Sequence, residues 1–207
     1  MLKFYNREKE MALLQKIEQK SETSAQMTFI VGRRRIGKTS LIINTFSNRK
    51  FVYFFVEKKS EVLLCEEFSE EIQNKLGVTI YGTLRTFKDV FGYLMDLSKK
   101  EHFTLIIDEF QEFRKVNEAI YSEMQNLWDQ HKNQSKINLV LCGSVYSLMK
   151  QIFENSKEPL FGRATARVHL KAFDIPTMKQ ILTDYCQTYT KDDLLATGGV
   201  AKLNIAV

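Results

Sequence analysis

The sequence predicts an α/β fold, built as a doubly wound parallel sheet of five strands with helices packed on it. Short apolar runs of strand length alternate along the chain with segments that have the apolar spacing of helices. Continuous apolar runs suit parallel strands covered on both faces, and the alternation implies right-handed crossovers between them. Only two prolines and no low-complexity tract interrupt the pattern, so no linker is indicated. The strands are expected at 26–31, 51–56, 103–107, 138–142 and 166–170.

Apolar residues at helical spacing predict the helices that separate these strands. Asn6 is expected to cap a first helix over 7–17, which the polar stretch 20–24 follows. Pro176 fits the first turn of a last helix that reaches Gln187. Between them, helices are expected at 40–46, 64–76, 87–94, 120–128 and 145–149.

The segment 32–39 fits the phosphate-binding pattern G-x-x-x-x-G-K-[ST] and lies between an expected strand and an expected helix. Glycines at its first and sixth positions let backbone N–H groups turn inward and cradle an anion. Lys38 would reach the β- and γ-phosphates, and the Thr39 hydroxyl would ligate Mg²⁺ where the helix begins. The residues expected to bind a nucleoside triphosphate are Gly32, Arg33, Arg34, Arg35, Ile36, Gly37, Lys38, Thr39 and Ser40.

Asp108 and Glu109 follow the third buried strand, at the edge where α/β sheets bind their ligands. Here Asp108 would hold Mg²⁺, and Glu109 would orient and polarise the attacking water in phosphoryl transfer. The alternative interpretation is a solvated acidic strand end followed by a helix cap. Together with the phosphate loop, the pair is typical of a P-loop NTPase of the additional-strand (ASCE) type, and Glu109 indicates hydrolysis. A guanine-recognition motif is missing, because the segment 74–77 lacks the required Asp and lies in an expected helix, so ATP is favoured over GTP.

Two further residues are candidates for the reaction. Ser144, after the next buried strand, would bond the γ-phosphate or the attacking water, or would instead cap the following helix. Arg163, before the fifth strand, would neutralise charge in the transition state, in its own chain or across a subunit contact. Its alternative is an ordinary surface arginine in a loop.

Composition narrows the class of protein. The 207 residues are 44% hydrophobic and 27% charged, which suits one substantial core, and no apolar stretch approaches the roughly 18 to 20 residues of a membrane span. The start of the chain lacks a signal-peptide pattern, so we expect a cytoplasmic protein. Cys65, Cys142 and Cys186 have no disulfide or zinc spacing and are expected to be reduced. The net charge of +5 is concentrated near the loop, which makes nucleic acid a possible partner without a motif to support it.

Taken together, these segments resemble the prokaryotic archaeal-type ATPases, P-loop enzymes of the AAA+ and STAND-related group. The segments that carry the resemblance are 4–10, 32–41, 106–111, 143–144 and 159–163. The resemblance implies that Arg7 and Glu8 lie near the adenine, although Asn6 replaces the usual glycine. It also implies a core over 1–172, including an N-terminal helix segment over 1–22, and the start of a helical lid over 173–207. The segment 198–202 is similar to the family's Gly-Gly-Val-Pro-Lys element, with Ala201 for proline; the lid is expected to be truncated.

Three hypotheses of function follow. The first is a Mg²⁺-dependent ATPase that hydrolyses ATP slowly and switches a protein client or an attached domain, with a homo-oligomer possible. The second is a nucleotide-gated interaction module with negligible turnover. A small-molecule kinase is a distant third. ATP, ADP and Mg²⁺ are the expected ligands in the first two.

Overall fold

Five parallel strands form one sheet at the centre of the molecule, in the order β2-β3-β4-β1-β5. The computed structural model describes residues 5–185, 188 and 190, and the predictions for Cys186, Gln187 and 198–202 concern residues outside this part. The sheet confirms the predicted doubly wound α/β fold. Its strands are β1 (Gln26–Val31), β2 (Phe51–Phe55), β3 (Phe103–Asp108), β4 (Ile137–Gly143) and β5 (Ala166–His169).

Burial explains why apolar runs were sufficient to locate the strands. Every residue of β3 and β4 is buried, because these strands have a neighbour on each side and helices on both faces. The edge strands β2 and β5 alternate between buried and more exposed positions. A continuous apolar run is therefore typical of the inner strands of this sheet, and the edge strands are less uniformly buried.

Eight α-helices lie in the described part of the chain, and most of them were predicted. A short 3₁₀ turn, Phe110–Glu112, and the four-residue α5 that follows it were not. The helices are α1 (Glu8–Ser21), α2 (Lys38–Phe46), α3 (Glu61–Leu76), α4 (Phe87–Leu97), α5 (Phe113–Val116), α6 (Ala119–His131), α7 (Tyr146–Glu154) and α8 (Ile175–Tyr185). Within the described ranges, each helix is too short or too polar to cross a bilayer.

The start of α1 differs from the prediction. Arg7, not Asn6, is the N-cap residue, and no side chain caps the helix. Asn6 has a φ of 45°, in the left-handed region that favours glycine and that asparagine tolerates better than most residues. Its side-chain amide donates to the Thr177 hydroxyl at 2.6 Å, and Glu8 is exposed in the first turn. Asn6 therefore links the N-terminal segment to α8.

Two hydrophobic clusters cover the two faces of the sheet. One contains residues of α1 and α2 with Ile30, Ile106 and Val140 of the central strands. The other is larger and aromatic, and it packs α3, α4, α6 and α7 against the opposite face. Cys65 and Cys142 are buried free thiols, and burial raises the pKa of Cys65 to about 12 and that of Cys142 well above its ordinary value. Both thiols are therefore protonated at neutral pH.

The parallel arrangement brings the ends of three neighbouring strands to one edge. Val31 is paired with Gly143, and Ile107 is paired with Leu141, so β1, β3 and β4 end at nearly the same level. The phosphate loop follows β1, and the Asp-Glu and Gly-Ser pairs begin with the last residues of β3 and β4. The fold therefore assembles the predicted site at the carboxyl edge of the sheet.

Candidate nucleotide-binding site

The phosphate loop is shaped by two glycines and a buried isoleucine. A Cβ atom on Gly32 would come within 3.0 Å of Ile36 Cγ2 and of the Leu170 carbonyl oxygen, so the backbone passes where a side chain would not fit. Gly37 has a φ of 89° and is the N-cap residue of α2, a conformation that glycine adopts at no steric cost. Ile36 is buried and anchors the loop on the core. The loop can thus turn sharply into the amino end of α2.

The three arginines of the loop face solvent. Arg33, Arg34 and Arg35 are exposed, as is Ser40 in the first turn of α2. Arg35 has a φ of 62°, which is uncommon outside glycine and marks a strained turn. The three arginines add positive charge around the loop, where an anionic ligand would enter.

Lys38 lies inside the loop. It is only 6% exposed, and its ammonium donates to the carbonyl oxygens of Gly32 at 2.9 Å and Arg33 at 3.1 Å. Burial lowers the pKa of Lys38, and the negative charges of Asp108 and Glu109 partly oppose that effect. The amine is therefore a positive charge held at the centre of the loop by its own backbone.

Asp108 and Thr39, the two predicted metal ligands, are in direct contact. The Thr39 hydroxyl donates to Asp108 Oδ2 at 2.9 Å, and the Glu109 N–H donates to Asp108 Oδ1 at 2.9 Å. Asp108 is 4% exposed, so the solvated interpretation of this residue is wrong. A hydroxyl and a carboxylate are hard oxygen donors of the kind that Mg²⁺ takes, so the pair fits that ion.

Tyr53 also contacts Asp108, and sequence reasoning missed it. Its hydroxyl donates to Asp108 Oδ2 at 2.8 Å. Tyr53 is paired with Ile106, two residues before Asp108, so the two side chains project on the same face of neighbouring strands. Burial and the charge of Asp108 raise the pKa of Tyr53, which keeps the hydroxyl protonated as a donor. Only the strand pairing brings these two residues together.

Glu109 points toward a different strand. The Ser144 hydroxyl donates to Glu109 Oε2 at 2.7 Å, and the side-chain amide of Gln111 donates to the same oxygen. The N-cap residue of α7 is Val145, with no side-chain cap, so the capping interpretation of Ser144 is wrong. Glu109 has a φ of 53°, and such left-handed residues cluster at functional sites. The site therefore holds the expected base through one carboxylate oxygen.

Gln111 is the second site residue that sequence reasoning assigned no role. Its side chain is buried, and its Oε1 atom has no hydrogen-bond partner among the residues that the structure describes. A Cβ atom on Gly143 would lie 2.5 Å from that oxygen, so the end of β4 closes over the amide. The signal in the sequence was its place two residues after Glu109.

A comparison with known families agrees with this site. The profile of a family described as an ATPase domain found predominantly in Archaea matches residues 4–194. The chain belongs to this archaeal ATPase family. Its sheet and its solved neighbours are those of P-loop ATPases, as the sequence predicted.

Two curated relatives match only in part. An uncharacterized protein of Methanocaldococcus jannaschii is 28% identical over 177 residues, which are 86% of the chain and 38% of that protein. A second protein of the same organism is 38% identical over 56 residues, 27% of the chain and 54% of that protein. The chain thus spans well under two thirds of these relatives.

Solved structures share the fold at low identity. A Walker-type ATPase of Pyrococcus abyssi superposes with a TM-score of 0.69 at 20% identity and covers 94% of this chain and 63% of its own. The ORC2 protein of Aeropyrum pernix, solved as ADPNP and ADP complexes, has a TM-score of 0.66 at 17% identity. The match covers 89% of this chain and 52% of ORC2. The ORC1 protein of the same organism, solved with DNA, has a TM-score of 0.63 at 11% identity. The match covers 89% of this chain and 50% of ORC1.

Arg7 of the ATPase domain lies beside the start of the loop. It is buried, donates to the carbonyl oxygen of Lys171 at 2.7 Å, and places its guanidinium 4.5 Å from the centre of the Phe173 ring. Lys171 follows Leu170, whose N–H donates to the carbonyl of Val31, the residue before the loop. This position suits the expected place near the nucleotide.

Arg163, in contrast, is not brought to the site. Its guanidinium donates to Asp129 Oδ2 at 2.6 and 3.1 Å, near the end of α6. The N–H of Thr165, two residues later, donates to the carbonyl of Met27, and the loop-proximal Val31 lies four positions further along β1. At 3.3 Å per residue this is about 13 Å along the strand. The arrangement does not support a role of Arg163 in its own chain's site, and its role across a subunit contact stays a prediction.

Proposed function

We propose that this ATPase domain binds ATP with Mg²⁺ at the carboxyl edge of the sheet and hydrolyses it. The change in phosphate contacts would then switch a client protein or an attached domain. The observation that carries the proposal is the convergence of Thr39, Asp108, Glu109 and Ser144 from the ends of three strands. Phosphoryl transfer depends on positioned charge and on a positioned water. This edge of the sheet offers charged side chains and a carboxylate that could orient the water.

Each residue has a role that follows from its place. Lys38 would exchange the carbonyls of its own loop for phosphate oxygens, which carry more negative charge. Thr39 and Asp108 would hold Mg²⁺, which when bound neutralises charge on the phosphates. The Glu109 carboxylate would accept a hydrogen bond from the attacking water. Ser144, one hydrogen bond away, would remain with Glu109 or turn to the γ-phosphate.

Replacing Glu109 with glutamine tests the proposal. Turnover should fall by about 10²- to 10⁴-fold, because the amide cannot serve as a base, while ATP binding is kept. Phosphate release measures turnover, and a fluorescent ATP analogue measures binding. Glu118→Gln is the matched control, since Glu118 is exposed and pairs with Arg114 away from the loop. Wild-type turnover in the Glu109 variant would remove the assignment of the base.

The second candidate is a nucleotide-gated interaction module with negligible turnover. It is favoured by two contacts: Lys38 is engaged by loop carbonyls, and one oxygen of Glu109 is engaged by two donors. The Lys38 contacts must loosen before its ammonium can reach a phosphate, and the two bonds to Glu109 Oε2 leave the other carboxylate oxygen to accept from a water. Turnover measured at several protein concentrations separates the candidates. A specific rate that rises with concentration would support hydrolysis with Arg163 supplied by a second copy, and binding without phosphate release at any concentration would support the module.

The domain division is part of the same proposal. We infer a core over 1–172 and the start of a lid from 173, and the core residues Tyr5, Asn6 and Arg7 contact the segment that begins there. A nucleotide near Arg7 would touch both parts. The greater length of the first relative, of which the chain spans 38%, supports an attached domain as the object of the switch.

A further inference from the structure

A side chain of the edge strand β2 donates a hydrogen bond to Asp108, the carboxylate that is expected to hold the metal. Asp108 Oδ2 accepts one hydrogen bond from Thr39 and a second, 2.8 Å long, from the hydroxyl of Tyr53. The other oxygen of Asp108 is held by the N–H of Glu109. Three donors from three different parts of the chain thus fix one buried carboxylate.

This arrangement leaves a defined set of lone pairs for a cation. Each carboxylate oxygen offers two lone pairs, so the bonds from Thr39 and Tyr53 occupy Oδ2, and Oδ1 keeps one lone pair beside the bond from the Glu109 N–H. The bond from Tyr53 prevents the Asp108 carboxylate from rotating about its terminal torsion, which is otherwise broad. Partners in this outer position orient ligands and are known to change metal affinity.

We propose that Tyr53 is a positioning residue for Asp108 and sets the affinity of the nucleotide site for Mg²⁺. The inference rests on the proposed Mg²⁺ site. It extends that site to Tyr53, which contacts the expected metal ligand Asp108 from the neighbouring strand β2. Tyr53 acts through its hydroxyl, not through its ring. The ring packs beside the cluster of α1 and α2 and would remain there in phenylalanine.

The test is a Mg²⁺ titration of nucleotide binding by wild type and Tyr53→Phe. A fluorescent ATP analogue is bound first in EDTA and then with increasing Mg²⁺, and the concentration that gives half of the Mg²⁺-dependent change is measured. We expect this concentration to rise about tenfold in Tyr53→Phe, with the affinity in EDTA unchanged. Tyr93→Phe in α4, a half-buried tyrosine far from Asp108, should match wild type.

A double-mutant cycle with Asp108→Asn adds a second measurement. If Tyr53 acts through Asp108, its replacement should have little further effect once the carboxylate is removed. A tenfold effect of Tyr53→Phe that persists in the Asp108→Asn background would overturn the inference.

The outcomes separate this inference from the proposed function. A wild-type chain that binds the nucleotide with no response to Mg²⁺ would overturn the Mg²⁺ site and the role of Tyr53 together. A wild-type response with the same half-point in Tyr53→Phe, within about twofold, would overturn the role of Tyr53 alone. Neither measurement requires hydrolysis, so both hold for a chain with negligible turnover.

Discussion

Replacing Gly143 with alanine should destabilise the protein and impair the site, because there is no space for a methyl group at the end of β4. A Cβ atom there would lie 2.4 Å from Cγ and Sδ of Met149 and 2.5 Å from Oε1 of Gln111. Met149 is fully buried and Gln111 is 1% exposed, so neither side chain can turn into solvent. One of them must shift within a packed core.

The size of the effect follows from two opposed contributions. Overpacking of a well-packed core costs about 1–3 kcal/mol. Alanine also restricts the unfolded chain more than glycine does, which stabilises the fold by about 0.4–1 kcal/mol when the backbone suits it. The steric cost exceeds this gain, so the free energy of unfolding should fall by about 1–2 kcal/mol. Because Gln111 bonds Glu109, turnover should fall more than ATP affinity.

Gly92→Ala provides the matched control. Gly92 lies inside α4, and an added Cβ would meet only Leu127, at 3.8 Å, which is ordinary contact. Since glycine is unfavourable inside a helix, this variant should be more stable by about 0.5–1 kcal/mol. Urea unfolding at 25 °C with unchanged m-values measures both. The steric reasoning fails if Gly143→Ala is as stable as wild type.

Two further predictions concern the polar contacts of Gln111 and Arg163. Gln111→Leu removes a donor to the Glu109 carboxylate, worth about 1.5 kcal/mol, so turnover should fall about tenfold with ATP affinity kept; a fall in affinity alone would contradict this. Arg163→Ala should cost under about 1 kcal/mol at pH 7, because its ion pair with Asp129 is partly exposed. Burial alone would raise the pKa of Asp129, but Arg163 and Lys132 lower it below 3.8, so the contribution is present above that value and lost as pH falls further. Urea unfolding should show a larger difference at pH 7 than near pH 2, and an equal difference at both would refute it.

The fold was largely predictable because its sequence pattern is local. Buried parallel strands are continuously apolar, and helices such as α3 repeat an apolar residue every four positions, so both can be located without knowing their neighbours. The turn at Phe110 and the short helix at Phe113 were missed for the opposite reason. Both rings are fully buried and pack against each other at 5.8 Å. Their segments are too short for periodicity, and tertiary contacts stabilise them.

The same distinction applies to the site. The loop and the Asp-Glu pair are contiguous motifs, so the sequence was enough to propose Lys38 and Asp108. Tyr53 joins them only through the register of β2 against β3, and no spacing in the sequence encodes that pairing. The position of Arg163 depends on how β5 pairs with β1. Arg163 precedes the start of β5, and that end of the strand lies at the edge of the sheet opposite the loop. Contacts between distant parts of the chain therefore determine whether Tyr53 and Arg163 lie at the site.

The backbone at Glu109 explains how two adjacent carboxylates come to serve different partners. Asp108 ends β3 in extended conformation, and strand alternation directs it to the face that carries Tyr53 and Thr39. Continued alternation would place Glu109 on the opposite face of the same strand. Instead its left-handed conformation ends the strand, and the carboxylate meets Ser144 beside β4. Such a conformation costs on the order of 1 kcal/mol or more in a residue other than glycine, and the bond from the N–H of Glu112 to the Glu109 carbonyl, at 2.8 Å, helps to hold it. The left-handed turn thus directs Glu109, the predicted base, to Ser144 beside β4, while Asp108, the predicted metal ligand, stays with Thr39 and Tyr53.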